Sequence, residues 1–315
     1  MIKYLLHTQI DKQKWDQCIS NSFNGIIYAY SWYLDTVCTG WEALVENDYE
    51  RVFPLTGRKK AGINYLFQPI FSQQLGVFSI NKLNEDIIEE FIAKIPEKFL
   101  FAEINLNTFN KINSNKHTAY PYLTHELDLI PSYEKIYFNY SENTKRNIKQ
   151  AEKSDLSLTN NITAESIIHL FRKNKGKDIK TLNDKDFLVF QKLINICLLK
   201  KIAHIRGVLT NEKKLCAGAI FVETHKKVIF LFSATNNDAK ASGAMSFLIN
   251  AFIKENAQHN LTLDFEGSNN PNLARFYKSF GSKECNYYHY KKNNLPWLLL
   301  KSITFIKWFR NKFTS

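Results

Sequence analysis

The second half of this 315-residue chain holds three apolar segments separated only by short polar turns, and this run constrains the fold more than any other feature. The segments cover residues 203–210, 214–224 and 227–235, and their β-branched and aromatic residues predict strands. The short turns predict that the three strands pair antiparallel. An apolar-faced helix at 242–258 follows and leads to a further strand. A helix between two strands is typical of a parallel crossover, so a mixed α/β sheet is predicted.

The sequence TLDFEGSNNPNLARFYKSFGS, residues 262–282, supplies that further strand and a helix after it. Its first residues alternate as in a strand, a Gly-Ser pair breaks the pattern, and an Asn-Pro pair starts a helix that ends near Gly281. Asp264 and Glu266 are two residues apart, so both carboxylates lie on one face of the strand. This segment is either a packing unit or part of a reaction centre.

The first half shows a shorter series of strands and helices. Its clearest helix is predicted at residues 84–96, where apolar side chains share one face and a proline ends the helix. The chain is long enough for two domains of about 150 residues. We therefore expect an α/β fold with a mixed sheet and two domains, 1–130 and 131–295, followed by a basic amphipathic helix at 296–315.

The composition favours a folded, basic protein. Hydrophobic residues make up 44% of the chain, which is enough to form real cores. The 42 basic and 30 acidic residues give a formal net charge of +12. This excess favours an anionic partner, such as nucleic acid, a phosphorylated cofactor, a nucleotide-linked substrate or an acidic membrane surface. A solvated basic face is the alternative.

The cysteines and histidines give no metal-ligand or disulfide pattern. The five cysteines are widely spaced, and the eight histidines show no HxxxH spacing. Reduced thiols in the cytoplasm and the absence of a metal are the expectations. The apolar run at the start is too short for a secretory signal, and no 18-residue apolar segment is present.

Three segments match, in their order and spacing, the motifs of one known group of proteins. SENTKRNIKQAEKSDLSL (141–158) is similar to the first helix of that group's second domain, with Ser141 as the N-cap. Residues 261–282 resemble its D-x-x-G-S strand end and the aromatic-lysine-aromatic helix that follows. Residues 51–79 resemble its strand pair that leads into a Gly turn. From about residue 25 to 300 the chain resembles the FemAB-like proteins, which carry two tandem domains of the GNAT acyltransferase superfamily.

The resemblance implies that the chain forms an amide, by attack of an amine on an activated acyl group. GNAT relatives take the acyl group from an acyl-CoA such as acetyl-CoA. Fem-type relatives take an aminoacyl group from a charged tRNA and add it to the peptide arm of a cell-wall precursor. Neither usually needs a metal. The alternative is a non-catalytic GNAT-like scaffold that binds an anionic ligand or a partner protein.

The loop after the third predicted strand corresponds to the GNAT loop that binds the pyrophosphate of CoA at a helix N-terminus. The family has a Gln or Arg here, followed by a Gly and then a Gly or Ala, whereas this chain offers only the partial match KASGA. A helix start with no ligand is the alternative. The donor-binding residues that the resemblance implies are Ala234, Thr235, Asn236, Lys240, Ser242, Gly243 and Ala244.

The resemblance also suggests the catalytic residues. Tyr277 corresponds to the GNAT tyrosine that protonates the leaving thiolate, and Glu266 or Asp264 would accept a proton from the amine or orient it. Fem-type enzymes tend to have lysine at the tyrosine position, and here lysine stands one residue later, at Lys278. A tyrosine on an apolar helix face is otherwise a common residue at the edge of a core.

Three basic residues are predicted to bind substrate: Arg146, Arg275 and Lys278. Arg146 lies on the basic outer face of the helix that starts at Ser141, where it could bind an RNA backbone or a nucleotide-linked precursor. Arg275 could meet a phosphate or a carboxylate. A solvated basic surface is the alternative for these residues.

The tail NLPWLLLKSITFIKWFRNKFTS, residues 294–315, combines an apolar stripe with several basic residues. This pattern suits a helix lying on a membrane surface, and it equally suits a C-terminal helix packed on the protein. The resemblance implies a small-molecule or cell-wall-precursor amine acceptor and a tRNA as partners, and the tail adds a membrane surface. The expected location is cytoplasmic, with peripheral membrane contact left open.

Overall fold

A computed structural model describes residues 1–179, 182–267 and 269–295 of the chain. The predicted C-terminal helix at 296–315 lies outside these residues. Most of the described chain is regular secondary structure, with short 3₁₀ turns at His7–Gln9, Ile27–Ala29 and Lys175–Asp178.

The first part of the chain, up to residue 128, begins and ends with strands. Its strands are β1 (Ile2–Leu5), β2 (Glu42–Glu46), β3 (Arg51–Leu55), β4 (Gly57–Lys60), β5 (Ile63–Phe67), β6 (Phe78–Ser79), β7 (Phe99–Asn105) and β8 (Thr118–Asp128). Its helices are α1 (Lys12–Asn21), α2 (Ser31–Val37) and α3 (Glu85–Ala93). The helix predicted at 84–96 is confirmed as α3, which Asn84 caps.

The second part contains the predicted three strands, crossover helix, strand and helix in that order. Its helices are α4 (Tyr133–Phe138), α5 (Glu142–Lys153), α6 (Ala164–Lys173), α7 (Asp184–Leu199), α8 (Asn237–Ser242), α9 (Ala244–Asn256) and α10 (Pro271–Lys278). Its strands are β9 (Ser157–Thr159), β10 (Ala203–Leu209), β11 (Leu215–Thr224), β12 (Lys227–Thr235), β13 (Thr262–Gly267) and β14 (Lys283–Asn293). Of these elements, α4, β9 and α8 were not predicted.

The strands of the described residues form a four-stranded and a ten-stranded sheet. The order of the small sheet is β1-β2-β3-β6, and that of the large sheet is β4-β5-β7-β14-β8-β13-β12-β11-β10-β9. The predicted domain limit at 130/131 falls in the link between β8 and α4, while β8 and β14 lie side by side in the centre of the large sheet. Both parts of the chain therefore contribute strands to one continuous sheet.

The predicted mixed pairing is confirmed. Strands β10, β11 and β12 pair antiparallel, and β12 pairs parallel with β13 after the crossover through α8 and α9. The first part has a parallel pair of its own, β5 with β7, and α3 lies in that crossover. The mixed α/β class follows from this arrangement.

Local sequence accounts for the helix α5 that follows Ser141. The Ser141 side chain accepts a hydrogen bond from the backbone N–H of Thr144, as an N-cap does. Ile148 and Ala151 are buried on the inner face, while Lys149 is exposed on the outer face. The predicted cap and the predicted orientation of this helix are both confirmed.

Alternate residues of β12 point into different hydrophobic cores. Ile229 and Leu231 belong to a core that includes residues of α1, α2, α6 and α7. Val228 and Phe230 belong to a second core, formed with α5, α9 and α10. The sheet thus separates two cores, and the residues where β12 meets β13 stand between them.

Candidate functional site

The parallel strands β12 and β13 separate soon after they meet. They are paired only over Lys227–Ile229 and Thr262–Asp264, although β12 continues to Thr235. Beyond the last pair, a notch opens between the two strands. Leu231 of β12 and Glu266 of β13 stand beside it, and both line the same cleft.

A β-bulge sets the backbone of β13 at this notch. Asp264 pairs with Glu126 and Gly267 pairs with Thr124, so two residues of β13 face one residue of β8. The second of the two, Glu266, has φ +62°, which is a left-handed conformation that a non-glycine residue rarely adopts. Bulges and strained residues of this kind are concentrated at functional sites.

The Glu266 side chain meets a buried tyrosine from the first part of the chain. The hydroxyl of Tyr28 donates a hydrogen bond to Oε1 of Glu266. Glu266 keeps partial exposure at the cleft, although protein atoms surround its carboxyl group. Burial raises the pKa of Glu266 to about 8; the hydrogen bond from Tyr28 lowers it, and the charge of Asp264 raises it. A carboxyl group with such a pKa in a cleft is a candidate for proton transfer near neutral pH.

Both parts of the chain line this cleft, which has a volume of about 300 Å³. The first part contributes a turn after β5, and the second part contributes β12, β13, β14 and a residue two positions before α10. The lining residues are Phe71, Ser72, Gln73, Leu231, Glu266, Asn269 and Tyr287. Three of these side chains are apolar or aromatic and four are polar, and the volume lies at the lower end of the range of small-molecule sites, about 300–1,000 Å³.

A second tyrosine holds the opposite wall of the cleft. The Tyr33 hydroxyl donates a hydrogen bond to the backbone carbonyl of Phe71, a residue that also has a left-handed backbone, with φ +60°. The rings of Tyr28 and Tyr33 meet edge to face, 5.6 Å apart between centroids. Two contacting tyrosines therefore fix one strained residue on each wall.

Asp264 lies behind the cleft in a closed set of polar contacts. Its Oδ1 accepts hydrogen bonds from the Thr124 hydroxyl at 2.6 Å and from the Glu266 backbone N–H at 2.9 Å. Its Oδ2 lies 3.4 Å from Nζ of Lys227, which also binds Glu126. Only 2% of the Asp264 side chain is exposed. The two predicted carboxylates are thus brought together, but only Glu266 lines the cleft.

Tyr277 lies in the second core, on the other side of the notch from Tyr28. Its ring stacks on Phe265 at 5.0 Å and contacts Phe230 at 6.2 Å. These two phenylalanines are the first residues of β13 and β12 after the last paired positions. Burial, and then the charge of Glu266, raises the pKa of Tyr277. The phenol is therefore protonated at neutral pH.

The predicted donor loop is largely helical. Asn236 caps the short helix α8, and Gly243 connects it to α9 with φ +75°. A Cβ at Gly243 would lie 2.3 Å from the carbonyl oxygen of Asn147 in α5. Ala244 and Ser246, in the first turn of α9, are buried. Helix α5 therefore covers the turn that was expected to hold a pyrophosphate.

The remaining residues of the predicted donor loop differ in exposure. Ala234 is buried, Thr235 and Ser242 are partly buried, and Lys240 is exposed. Gln150 of α5 donates a hydrogen bond to the carbonyl of Ala241, 3.0 Å away. This contact joins the loop to the basic helix.

A basic groove adjoins this loop, between α4 and α5. We define the basic groove by its lining residues, and its volume is about 860 Å³. These residues are Tyr133, Glu134, Tyr137, Phe138, Glu142, Lys145, Arg146, Lys149, Gln150 and Lys153. Phe138 is 80% exposed, and Nζ of Lys145 lies 5.8 Å from the Tyr137 ring centroid. Cations beside exposed aromatic rings are typical of surfaces that bind phosphates and bases.

The three predicted substrate-binding residues lie apart from the cleft lining. Arg146 is part of the basic groove, where it donates a hydrogen bond to Asn143. Arg275 is exposed on α10. Lys278 lies 3.4 Å from Glu284, and both of these side chains are exposed.

Comparisons with known proteins identify the fold. No protein-family model and no curated protein matches the sequence. In structure the chain resembles FemX, with a TM-score of 0.65 and 13% identity over 95% of this chain and 99% of FemX. The chain therefore has the FemX fold. The predicted FemAB-like fold is confirmed.

Two further structures share the FemX fold. L-PGS from Bacillus licheniformis has a TM-score of 0.50 and 10% identity over 96% of this chain and 97% of that one. The C-terminal domain of a candidate lysylphosphatidylglycerol synthetase from Agrobacterium fabrum has a TM-score of 0.53 and 9% identity over 90% of this chain and 92% of that domain.

The described residues contain neither a candidate metal site nor a candidate membrane-spanning helix. In residues 1–179, 182–267 and 269–295, no group of three or more His, Cys, Asp or Glu side chains could hold a metal ion. The same part of the chain has no helix long and apolar enough to cross a membrane.

Sequence reasoning missed the contribution of the first part of the chain to the cleft. Tyr28 and Tyr33 belong to the aromatic segment IIYAYSWYLD, and Phe71 belongs to an aromatic run interrupted by a proline. The concentration of tyrosines in that segment is the signal that could have drawn attention to it.

Proposed function

We propose that the chain is an acyltransferase that joins an acyl or aminoacyl group to an amine, and that Glu266 moves the proton. The observation that supports this most is the position of Glu266, at the notch between β12 and β13 and in a cleft lined by both parts of the chain. Its pKa of about 8 suits both uptake and release of a proton near neutral pH. The FemX fold supports the same reaction class.

The proposed reaction is a direct attack. The amine nitrogen bonds to the carbonyl carbon of the donor, and the bond from that carbon to the ester oxygen or thioester sulfur breaks. Glu266, in its ionised form, accepts the proton that the nitrogen loses. The leaving oxygen or sulfur departs with the bonding electrons and takes up a proton. Positioning and proton transfer are the parts of such a reaction that a protein supplies without a metal.

We assign the proton for the leaving group to Tyr277. Its ring lies across the start of the notch from the second core, whereas Glu266 meets Tyr28 of the first core. The amine would thus approach from the cleft and the donor from the side of α5 and α9. Base and acid would act on opposite sides of the carbonyl carbon.

An aminoacyl-tRNA is the donor that the geometry supports best. The first turn of α9, where a CoA pyrophosphate was expected, is covered by α5. The basic groove includes Gln150, whose hydrogen bond to the Ala241 carbonyl joins the groove to the end of α8, just before this turn. Among the described residues, Lys149 and Lys153 have no ion-pair partner within 4 Å, so both can meet phosphates.

The experiment compares donors with one acceptor. Purified protein is incubated with the amine-bearing peptide arm of a nucleotide-linked cell-wall precursor. The donor is either tRNA charged with radiolabelled amino acids or radiolabelled acetyl-CoA. Transfer of label from tRNA to the peptide is the expected result. Transfer from acetyl-CoA alone would replace the donor assignment. A second set of reactions replaces the peptide with phosphatidylglycerol vesicles as the acceptor. If the protein binds tRNA but transfers label to neither acceptor, the result would favour the non-catalytic scaffold.

A further inference from the structure

The carboxylate of Asp264 stands next to the proposed proton carrier but does not reach the cleft. Its side chain is 2% exposed, and its oxygens contact Thr124, Lys227 and the Glu266 backbone. A carboxylate enclosed in this way has no path to a substrate. Whatever Asp264 contributes, it must therefore act through another residue.

The residue it acts on most directly is Glu266. A non-glycine residue in the left-handed region is strained and persists only when its surroundings fix it. Asp264 provides such a constraint, because its Oδ1 accepts the Glu266 N–H at 2.9 Å across the bulge. This short link fixes the backbone from which the Glu266 side chain extends towards Tyr28.

Lys227 and Thr124 in turn fix Asp264. The Thr124 hydroxyl binds Oδ1, and Nζ of Lys227 lies 3.4 Å from Oδ2, so both oxygens are held. Burial lowers the pKa of Lys227, but the charges of Asp264 and Glu126 outweigh it, and the net shift is upward. Lys227 is therefore a cation beside two carboxylates.

We infer that Asp264 is a positioning residue for the transfer reaction: it holds the bulged backbone of Glu266 through Oδ1 and places a fixed negative charge behind it. The inference rests on the proposed role of Glu266. The two carboxylates of β13 thus have different roles. Glu266 exchanges the proton, and Asp264 sets the orientation and acidity of Glu266.

The effect of the Asp264 charge on Glu266 can be measured separately from the effects of other titratable groups. The titratable groups that act on Glu266 from the packed elements are Asp264 itself and tyrosines, namely Tyr28, Tyr33, Tyr277 and Tyr287. Burial raises the pKa of each of these tyrosines, so they stay neutral in the pH range in which Glu266 titrates. Lys227 lies one contact further away, on Asp264, and Glu126 pairs with Lys227.

The test is a titration of Glu266 by NMR with ¹³C-labelled glutamate, which needs no catalytic assay. In Asp264→Asn, the amide oxygen can still accept the Glu266 N–H, but the negative charge is lost. The Glu266 titration should move to lower pH by about one unit. The matched control is Glu103→Gln, which removes a carboxylate that pairs with Lys291 on β14 and should leave the titration unchanged.

A second variant tests the backbone link alone. Asp264→Glu keeps the charge but displaces the acceptor oxygen, so exchange of the Glu266 amide hydrogen should become about tenfold faster. An unchanged titration in Asp264→Asn together with an unchanged exchange rate in Asp264→Glu would overturn the inference, even if both variants were less stable. Another outcome is that the titration shifts in Asp264→Asn and the amide exchange becomes faster in Asp264→Glu while the wild-type protein transfers no acyl group. In that case the proposed function fails, but the positioning of Glu266 by Asp264 is supported.

Discussion

The hydroxyl of Tyr28 donates a hydrogen bond to the carboxyl group of Glu266, a residue 238 positions later in the sequence. This bond joins the first part of the chain to the strained bulge of β13 at the wall of the cleft. A phenol that donates to a carboxylate favours its ionised form, so Tyr28 opposes the effect of burial on Glu266.

Tyr28→Phe removes that donor and should raise the pKa of Glu266 above its value of about 8. A hydrogen bond to a charged group contributes about 1.5–3 kcal/mol, so a shift of about one pH unit or more is expected. The ¹³C titration of Glu266 measures it. Tyr33→Phe is the matched control, because its hydroxyl binds the Phe71 carbonyl instead. If Glu266 had the same pKa in both variants, the Tyr28 hydroxyl would not be what lowers the pKa of Glu266.

Glu266→Gln should stabilise the protein in a defined pH range. The unfolded carboxyl ionises near its ordinary pKa of 4.5, whereas the folded one keeps its proton up to about pH 8. The folded state thus binds more protons in this range, and its stability falls as the pH rises from about 4.5 to 8. Glutamine does not ionise, so the variant does not lose stability in this way as the pH rises. The melting temperature of the variant should exceed that of the wild type increasingly from pH 5 to pH 8.

The control for this stability measurement is Glu126→Gln. Glu126 pairs with Lys227 in a partly buried site, so its neutralisation should lower the melting temperature rather than raise it. If Glu266→Gln melted at the wild-type temperature at every pH, the raised pKa of Glu266 would be wrong.

The order of elements in the second part was predictable from sequence because its signals are local. The β-branched and aromatic residues of three apolar segments indicated β10 to β12, and the Ser141 cap indicated α5. The break after Glu266 was also visible, as a Gly-Ser pair. Each of these patterns depends on a few neighbouring residues, and tertiary contacts did not override them.

The cleft could not be predicted in the same way. The pairing of β8 with β14 joins residues more than 150 positions apart, and the bulge at Glu266 depends on its register with β8. The contact between Tyr28 and Glu266 likewise has no local sequence pattern. The two-residue period of a strand predicted the position of Glu266 on its strand, but it could not predict which residues Glu266 contacts.

Gly243→Ala should destabilise the protein more than Gly40→Ala. Both glycines have a left-handed backbone, with φ +75° and +77°, so the cost of φ is the same. At Gly40 the new methyl group meets nothing within 4 Å, whereas at Gly243 it lies 2.3 Å from the Asn147 carbonyl. An extra loss of about 1–3 kcal/mol is expected at Gly243 in chemical denaturation. Equal losses would contradict the close contact between α5 and α9.

Reversal of two charges in the basic groove should weaken binding of the donor. The double variant Lys149→Glu and Lys153→Glu should lower the affinity for charged tRNA at least about tenfold and flatten its dependence on salt. Fluorescence anisotropy with labelled tRNA measures both effects. The control reverses Lys59 and Lys60, which are exposed on β4 in the first part of the chain. A similar loss in the control would indicate general attraction by the net charge instead of the groove.

The most direct test of the account is the pH dependence of acyl transfer in the wild type and in Glu266→Gln. If Glu266 accepts the proton of the amine, the wild-type rate should rise with pH and level off above about 8, where the carboxylate is fully formed. The variant should be slower by about 10²–10⁴-fold and should lack that inflection. A variant that keeps at least about half of the wild-type rate, with the same pH profile, would contradict the role of Glu266.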